Sequence, residues 1–475
     1  MIEGRRLRLG SIALASILSA CATNRQSAPD LPIPAHAVVG VQETQLNPEF
    51  WIRRDSSGDH VVLDARAIAA QNARLRELDP SVHDIQKLPA TLSAAMVRGW
   101  IDRLSARPDE KLFDEKGQAL TAAALDDLVA SLALDKVPDT RNTRYGLIVK
   151  RADLRTFPTL MRVFDSPDNT DIDRFQESAL FPGTPVAIVH ESRDQKWWFI
   201  VSALYAAWID KSLVAEGTAQ QVFDYAHRSP YLVVTGPTVK TVHTPEEPQV
   251  SELQLDMGVR VPLQAQWPES KPVNGQHPYT SHVIELPVRA DDGSLRFVPA
   301  LLPKTEDTAS DYLPLSQRNL LRQGFKFLGE RYGWGHSFNA RDCSGFVSEV
   351  YRSFGVQLPR NTRDQAVSPA LNRIAFTSAD THEHRLAVLR ELEVGDLIYI
   401  PGHVMMVIGH DQGVPYVIHD TTGISYRDKS GVVQRVALNA VSVTPITPLL
   451  LNREQPLVDR ITSILRIRPE GLKKT

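Results

Sequence analysis

The chain is expected to be an α+β protein with several units in series. Three observations point there. Helical periodicity fills residues 38–143. Short strands with turn signals fill residues 144–306. Residues 307–469 mix a helix that opens on a cysteine with strands that begin and end on histidines. At roughly 150 residues per domain, 475 residues suit about three domains, each able to bury a core.

Hydrophobic residues are 42% and charged residues 23%, an ordinary globular balance. That excludes a wholly disordered, collagenous or multi-spanning chain. Lys and Arg number 53 against 56 Asp and Glu, a net charge of -3, so no basic excess argues for a nucleic-acid partner. The two cysteines, Cys21 and Cys343, exclude a disulfide scaffold.

Arg5, Arg6 and Arg8 precede an apolar run from Leu9 to Ala20. A basic start and a short apolar core mark a secretory leader, too short to span a bilayer comfortably. The run ends Leu18-Ser19-Ala20-Cys21, which resembles the lipobox of bacterial lipoproteins. The resemblance implies a signal peptide over 1–20 and lipidation of Cys21. Residues 21–37, with Pro29, Pro32 and Pro34, read as a tether. Removing residues 1–20 takes away three Arg and one Glu, so the mature charge is -3 - 2 = -5. Ala22 stands where Asp would retain a Gram-negative lipoprotein at the inner membrane, so the expected location is the outer membrane, facing the periplasm.

Residues 38–143 are expected to form one helical domain, with amphipathic segments near 62–78, 90–104 and 121–134. It carries no chemical constellation, so its expected role is packing. From Tyr145 the period changes to strands. Pro185 to Val189 and Trp197 to Val201, joined by Ser192-Arg193-Asp194-Gln195-Lys196, read as a hairpin. Residues 144–218 resemble a bacterial SH3 domain, with Trp197, Trp198 and Trp208 expected in its core or rim. Residues 219–306 give further short strands and are expected to form a second SH3-like barrel.

Residues 316–330 read as a helix, capped by Ser316. Tyr332-Gly333-Trp334-Gly335-His336 is a glycine-bearing turn. Asp342-Cys343-Ser344-Gly345-Phe346 then opens a helix, with Phe346, Val347, Val350 and Phe354 near one face. A cysteine at a helix N-terminus meets free N–H groups and the positive end of the helix dipole, which favours a thiolate. A cysteine nucleophile also needs a base and an orienter. His403 opens one strand and His419 closes the next, so a hairpin can bring both to one sheet edge. Helix-borne cysteine against sheet-borne histidine is the papain-like arrangement.

Four motifs in order now resemble the NlpC/P60 cysteine peptidases. They are Tyr332, Trp334 and Gly335; Asp342 to Phe346; Leu358, Pro359, Arg360, Thr362 and Gln365; and Gly395, Asp396 and Leu397 followed by His403. With the parts before it, the chain is similar to the multidomain subgroup that carries two SH3-like modules. The resemblance implies hydrolysis of peptidoglycan stem peptides between γ-linked D-glutamate and a diamino acid. It implies Cys343 as nucleophile, His403 as base and His419 as orienter, with Asp420 a rival third residue. Tyr332 is implied beside the scissile carbonyl, with Asp342 and Ser344 in the substrate and oxyanion set. Arg360 either binds a substrate carboxylate or forms a structural ion pair.

No cofactor or metal is expected, because His336, His382, His384 and His410 lack metal-ligand spacing and read as solvated loop residues. Asp396 is expected to pin the turn before its strand. The competing classes are a non-catalytic wall-binding lipoprotein and another acyl-transfer chemistry on the same fold.

Overall fold

The computed structural model describes residues 40–54, 58–428, 430–452 and 454–468. The expected leader, Cys21 and tether lie outside the described residues.

Four helices come first: α1 (Pro48–Ile52), α2 (Ala65–Leu78), α3 (Ala94–Leu104) and α4 (Ala122–Ser131). Each starts where a polar side chain, from Asn47, Asp64, Ser93 or Thr121, accepts a hydrogen bond from the first turn. The periodicity predicts one helical domain, but these helices do not share a core. Trp51, Ile52 and Ile68 pack with Leu320, Leu321, Phe346 and Tyr416 of the C-terminal domain. The strand Val61–Leu63 pairs antiparallel with Leu315–Ser316 there. Val97, Ile101, Leu125 and Leu128 instead pack on Phe157, Trp197, Phe199 and Trp208 of the first barrel. Short amphipathic helices bury their apolar faces on whatever partner lies nearest, and here two partners divide them.

The first barrel runs in the order Val214–Gly217, Arg144–Ile148, Pro185–Glu191, Trp197–Val201, Ala206–Asp210, Ala152–Arg155, Gln176–Leu180. The expected hairpin is present, with Ala187 opposite Val201 and Glu191 opposite Trp198. Gln195 makes its turn with φ 62. Trp197, Trp198 and Trp208 are all buried. Helix α5 (Ala219–Tyr225) closes one end, packing Val222 and Tyr225 on Leu147 and Ala215.

The next unit surrounds one core with three small sheets. Tyr231–Val234 lies between Arg260–Pro262 and Thr308–Ala309, Thr238–Lys240 pairs with Gln254–Asp256, and Ser281–Arg289 forms a long hairpin with Leu295–Pro303.

In the C-terminal domain α6 (Gln317–Phe325) starts at Ser316, whose side chain accepts from Asn319 N–H. Then come α7 (Cys343–Arg352), α8 (Thr362–Val367) and α9 (His382–Arg390). The sheet runs Asn372–Ala375, Ser463–Arg466, Leu397–Ile400, His403–Asp411, Val414–Arg427, Val433–Pro445, all antiparallel. Helix α7 lies on one face, where Phe346, Val347 and Val350 meet Val404, Met406 and Ile418. Leu389 of α9 packs on the other face with Met405 and Val417.

Candidate active site

Cys343 is the first residue of α7, and Asp342 is its cap. Asp342 Oδ1 accepts from Gly345 N–H at 2.8 Å, and Oδ2 accepts from Gly335 N–H at 3.0 Å. The backbone N–H groups of Cys343 and Ser344 have no partner among the described residues, as expected in a first turn. They are therefore free to meet a developing oxyanion.

Arg360 belongs to the fold rather than to an open subsite. It is buried, and its donors are all engaged: Nη2 to Asp342 at 2.7 Å and to the His336 ring at 3.0 Å, Nη1 to Ser344 Oγ at 2.8 Å, and Nε to Ser178 Oγ at 2.6 Å. Of the two roles left open, the structural ion pair is the one observed. The side chains of Asp342 and Ser344 likewise point into this cluster instead of into an open cleft. Burial works against the Asp342 carboxylate, but Arg360 and the other donors hold it down at about 2.

His403 opens its strand and His419 lies on the next one. His403 Nε2 is 2.8 Å from His419 Nδ1, and His419 Nε2 is 3.0 Å from Thr444 Oγ1. The structure therefore gives His419, not Asp420, as the partner of His403. Strand alternation explains it: Ile418 and Tyr416 share the α7 face, His419 points the other way, and Asp420 returns to the α7 face. Thr444 was not anticipated, because it lies 25 residues downstream on a strand with no motif. With Nε2 engaged, Nδ1 is the ring nitrogen of His403 left for chemistry. A neutral His403 with a bare Nδ1 must donate from Nε2 to His419, which then donates from its own Nε2 to Thr444.

The expected thiolate is not the resting state. Burial, the adjacent Asp342 carboxylate and, to a lesser degree, Asp420 push the Cys343 thiol up to about 12, against the Val404 N–H and Arg360. Desolvation lowers His403 to about 4 and takes His419 well below the usual range. The helix dipole favours a thiolate, but the charged cap sits at the same helix end and opposes it. The resting pair is thus thiol and neutral imidazole. Sγ lies 3.9 Å from Gly402 O and forms no hydrogen bond with the His403 ring. Tyr332 is buried beside it, its hydroxyl unpaired among the described residues, and burial and Cys343 raise its pKa.

The loop before Cys343 has an unusual backbone. Gly335, His336, Phe338 and Asn339 all have positive φ, from 54 to 66. Three of these are not glycine, a cost that surrounding contacts must hold. His336 is not a solvated loop residue, as its lack of metal spacing suggested. It is 3% exposed, with Nε2 3.2 Å from Glu349 Oε1 and Nδ1 facing Arg360. A donor on Nδ1 and a carboxylate on Nε2 fix the neutral Nε2–H tautomer. His382, His384 and His410 do lie at or near the surface, and each has a carboxylate or carbonyl partner.

Both preceding β units clamp this loop. Arg151 of the first barrel donates to His336 O at 3.0 Å, Asn339 Oδ1 at 3.2 Å and Ala340 O at 2.9 Å. Gln176 Nε2 donates to Gly335 O at 2.8 Å, and Trp334 Nε1 donates to Gln176 O at 3.0 Å. Arg341 is 1% exposed and bonds Glu349, Glu330 and, from the second β unit, Asp256. No motif marks Arg151, Gln176, Ser178 or Asp256, since their meaning arises only across domains. Gln365 holds its own loop through Pro359 O, and Asp396 accepts from Glu393 N–H at 3.0 Å, pinning the turn.

Among the described residues no group of three His, Cys, Asp or Glu could hold a metal, and no helix is long and apolar enough to cross a membrane.

A capped helix-borne cysteine, a sheet-borne histidine pair and a small barrel docked beside them define a papain-like cysteine peptidase fold. Residues 329–440 match the NlpC/P60 family, and residues 162–210 match an SH3 domain of the SH3b1 type. The chain thus carries an NlpC/P60 domain over residues 329–440. It is similar to a gamma-D-glutamyl-L-lysine dipeptidyl-peptidase of Bacillus cereus (strain ATCC 10987 / NRS 248), 29% identical over 219 residues. That match covers 45% of this chain and 52% of the relative, so the chain spans about half of the relative's length. The fold is also that of an NlpC/P60 endopeptidase from Photobacterium damselae subsp. piscicida, with TM-score 0.69 at 17% identity, covering 88% of this chain and 92% of that one.

Proposed function

We propose that this protein is a cell-wall cysteine peptidase that hydrolyses the bond between γ-linked D-glutamate and a diamino acid in peptidoglycan stem peptides. The observation that carries the reading is the His403–His419 pair, joined through Nε2 of His403, together with a helix-capped cysteine whose Sγ lies 3.9 Å from the carbonyl oxygen of Gly402, the residue before His403. The relative in Bacillus cereus supports the choice of bond.

In this mechanism Sγ of Cys343 attacks the scissile carbonyl carbon as its proton passes to His403 Nδ1. The neutral resting pair makes proton transfer part of the attack. The carbonyl oxygen gains a negative charge and meets the Cys343 and Ser344 N–H groups and the Tyr332 hydroxyl. Collapse breaks the C–N bond, and the leaving amine takes the proton from Nδ1. A water then attacks the thioester, gives a proton to Nδ1, and releases the acid. The sulfur leaves and recovers that proton.

A lipid anchor at Cys21 would hold the enzyme at the membrane, with the outer membrane's periplasmic face the proposed location. Incubation with L-Ala-γ-D-Glu-diaminopimelate tests the reaction. Release of free diaminopimelate, detected by mass spectrometry and lost in Cys343→Ala, is expected. An intact tripeptide after prolonged incubation with folded protein would overturn the reading.

A further inference from the structure

Asp420 is fully buried, and neither carboxyl oxygen has a hydrogen-bond partner among the described residues. Buried polar groups are nearly always paired, because an unpaired one costs free energy without return. The reaction above makes no use of Asp420, since His419 takes the place next to His403.

Its position is well defined. Asp420 lies opposite Val441, which belongs to the same apolar cluster as Cys343 and Phe346. Across the next edge Gly329 N–H donates to Val441 O and Val441 N–H donates to Glu330 O, each at 2.9 Å. Glu330 and Asp420 therefore flank Val441 on the face toward α7, and Tyr332, two residues on, shares that face. The ionisable groups that act on Asp420 come from every element packed there: Glu330, Tyr332 and Arg341 from the segment before α7, and Asp342 and Cys343 from its cap and first turn. Its neighbours along and across the sheet, Ile418 and Val441, are apolar.

We propose that Asp420 is a positioning residue that acts through Cys343: as an uncharged acid it leaves the thiol facing one carboxylate, Asp342, and on ionising it adds a second negative charge that suppresses thiolate formation and sets the alkaline limit of the reaction. This rests on the reading of Cys343 as the nucleophile. Burial first, then Asp342 and Glu330, hold Asp420 in its acid form up to about 9, against the pull of Arg341. Burial likewise lifts Glu330 to about 7. Raising the pH therefore charges Glu330 first and Asp420 next, and the thiol last. A like charge at close range typically moves a neighbour by ~1 unit or more, a factor of ten in thiolate at fixed pH.

The test is the pH dependence of Cys343 alkylation by iodoacetamide in the full chain, read at the Cys343 peptide by mass spectrometry. Asp420→Asn keeps the shape and removes the titration. The ratio of variant to parent labelling rates is expected to rise by about tenfold between pH 7 and pH 10. A substitution that merely loosened the fold would change the rate at every pH. Glu330→Gln supplies a second variant: with one carboxylate fewer, Asp420 ionises more readily, and the break in the labelling curve moves to lower pH. A ratio that stays constant across the range, or an unmoved break in Glu330→Gln, would overturn the proposal. Because alkylation needs no peptide substrate, failure to cleave stem peptides would sink the functional reading and leave this measurement to decide the role of Asp420.

Discussion

Nε2 of His403 and Nδ1 of His419 stand 2.8 Å apart, and Thr444 Oγ1 closes the chain 3.0 Å beyond. One hydrogen bond thereby decides which nitrogen of His403 is left free for the proposed base. Removing the partner releases both the ring and its tautomer. His419→Ala is expected to lower kcat by about 10²–10⁴-fold on a cleaved tripeptide, with KM little changed. A kcat within a few fold of the parent, in a variant with an unaltered thermal transition, would show that His403 is oriented without His419.

The resting state makes a pH prediction with a definite sign. The Cys343 thiol is raised to about 12 and His403 is lowered to about 4. His403 must be unprotonated to accept the thiol proton, so activity persists as pH falls through 6.5 and is lost nearer pH 4. Cys343 in turn should react with iodoacetamide no faster than a free thiol at pH 6, because it remains protonated there. A kcat/KM profile that falls near pH 6.5, with rapid labelling at pH 6, would indicate a resting thiolate–imidazolium pair instead.

Gly345 and His336 occupy one space. A Cβ on Gly345 would lie 2.6 Å from His336 Cε1 and 2.9 Å from its Nε2. Two hydrogen bonds fix the ring, so it has nowhere to move. Gly345→Ala gains helix propensity of about 1 kcal/mol, but overpacking costs about 1–3 kcal/mol. The net expectation is a lower midpoint of thermal unfolding. His336→Gly in the same chain should recover part of that loss by making room, and equal midpoints for the single and double variants would show that the clash is relieved elsewhere.

The site was legible where chemistry is local and obscure where it is shared between domains. Asp342, Cys343 and Gly345 form one helix start, and the helix-borne cysteine is legible from five consecutive residues, whereas the Asp342 cap and the close approach at Gly345 emerge only in the fold. His403 and His419 follow from strand ends. The choice between His419 and Asp420 was also available, since alternation puts them on opposite faces of one strand. The burial of His336 is not legible, because absence of metal spacing says nothing about burial. The neutral thiol is not legible from the dipole of α7, because the charge of its Asp342 cap opposes that dipole. The helices of residues 38–143 were recognisable, but their apolar faces carry no sign of which neighbour they will join. Arg151, Gln176 and Asp256 became informative only when three units met around the loop of residues 333–341.

That meeting point carries the last expectation, on substrate choice. The first barrel does not sit on a free tether. Gln176, Ser178 and Arg151 bond directly to the loop before the nucleophile and to Arg360. Arg151 also faces Asp256 of the second β unit at 3.4 Å, so both units are locked to the catalytic domain. Under the proposed function, a wall held this firmly beside the loop before Cys343 would close one end of the peptide groove and would not swing aside for a glycan strand. Stem peptides released from glycan are then the expected substrates, and stems still in intact sacculi are not. The check is parallel incubation with L-Ala-γ-D-Glu-diaminopimelate and with purified sacculi, normalised to scissile bonds. Arg151→Ala should slow the free tripeptide by up to about 10²-fold, because the loop's left-handed residues lose their clamp and the nucleophile its placement. Equal rates on both substrates would mean that the groove is open at both ends, and that the barrels serve wall binding.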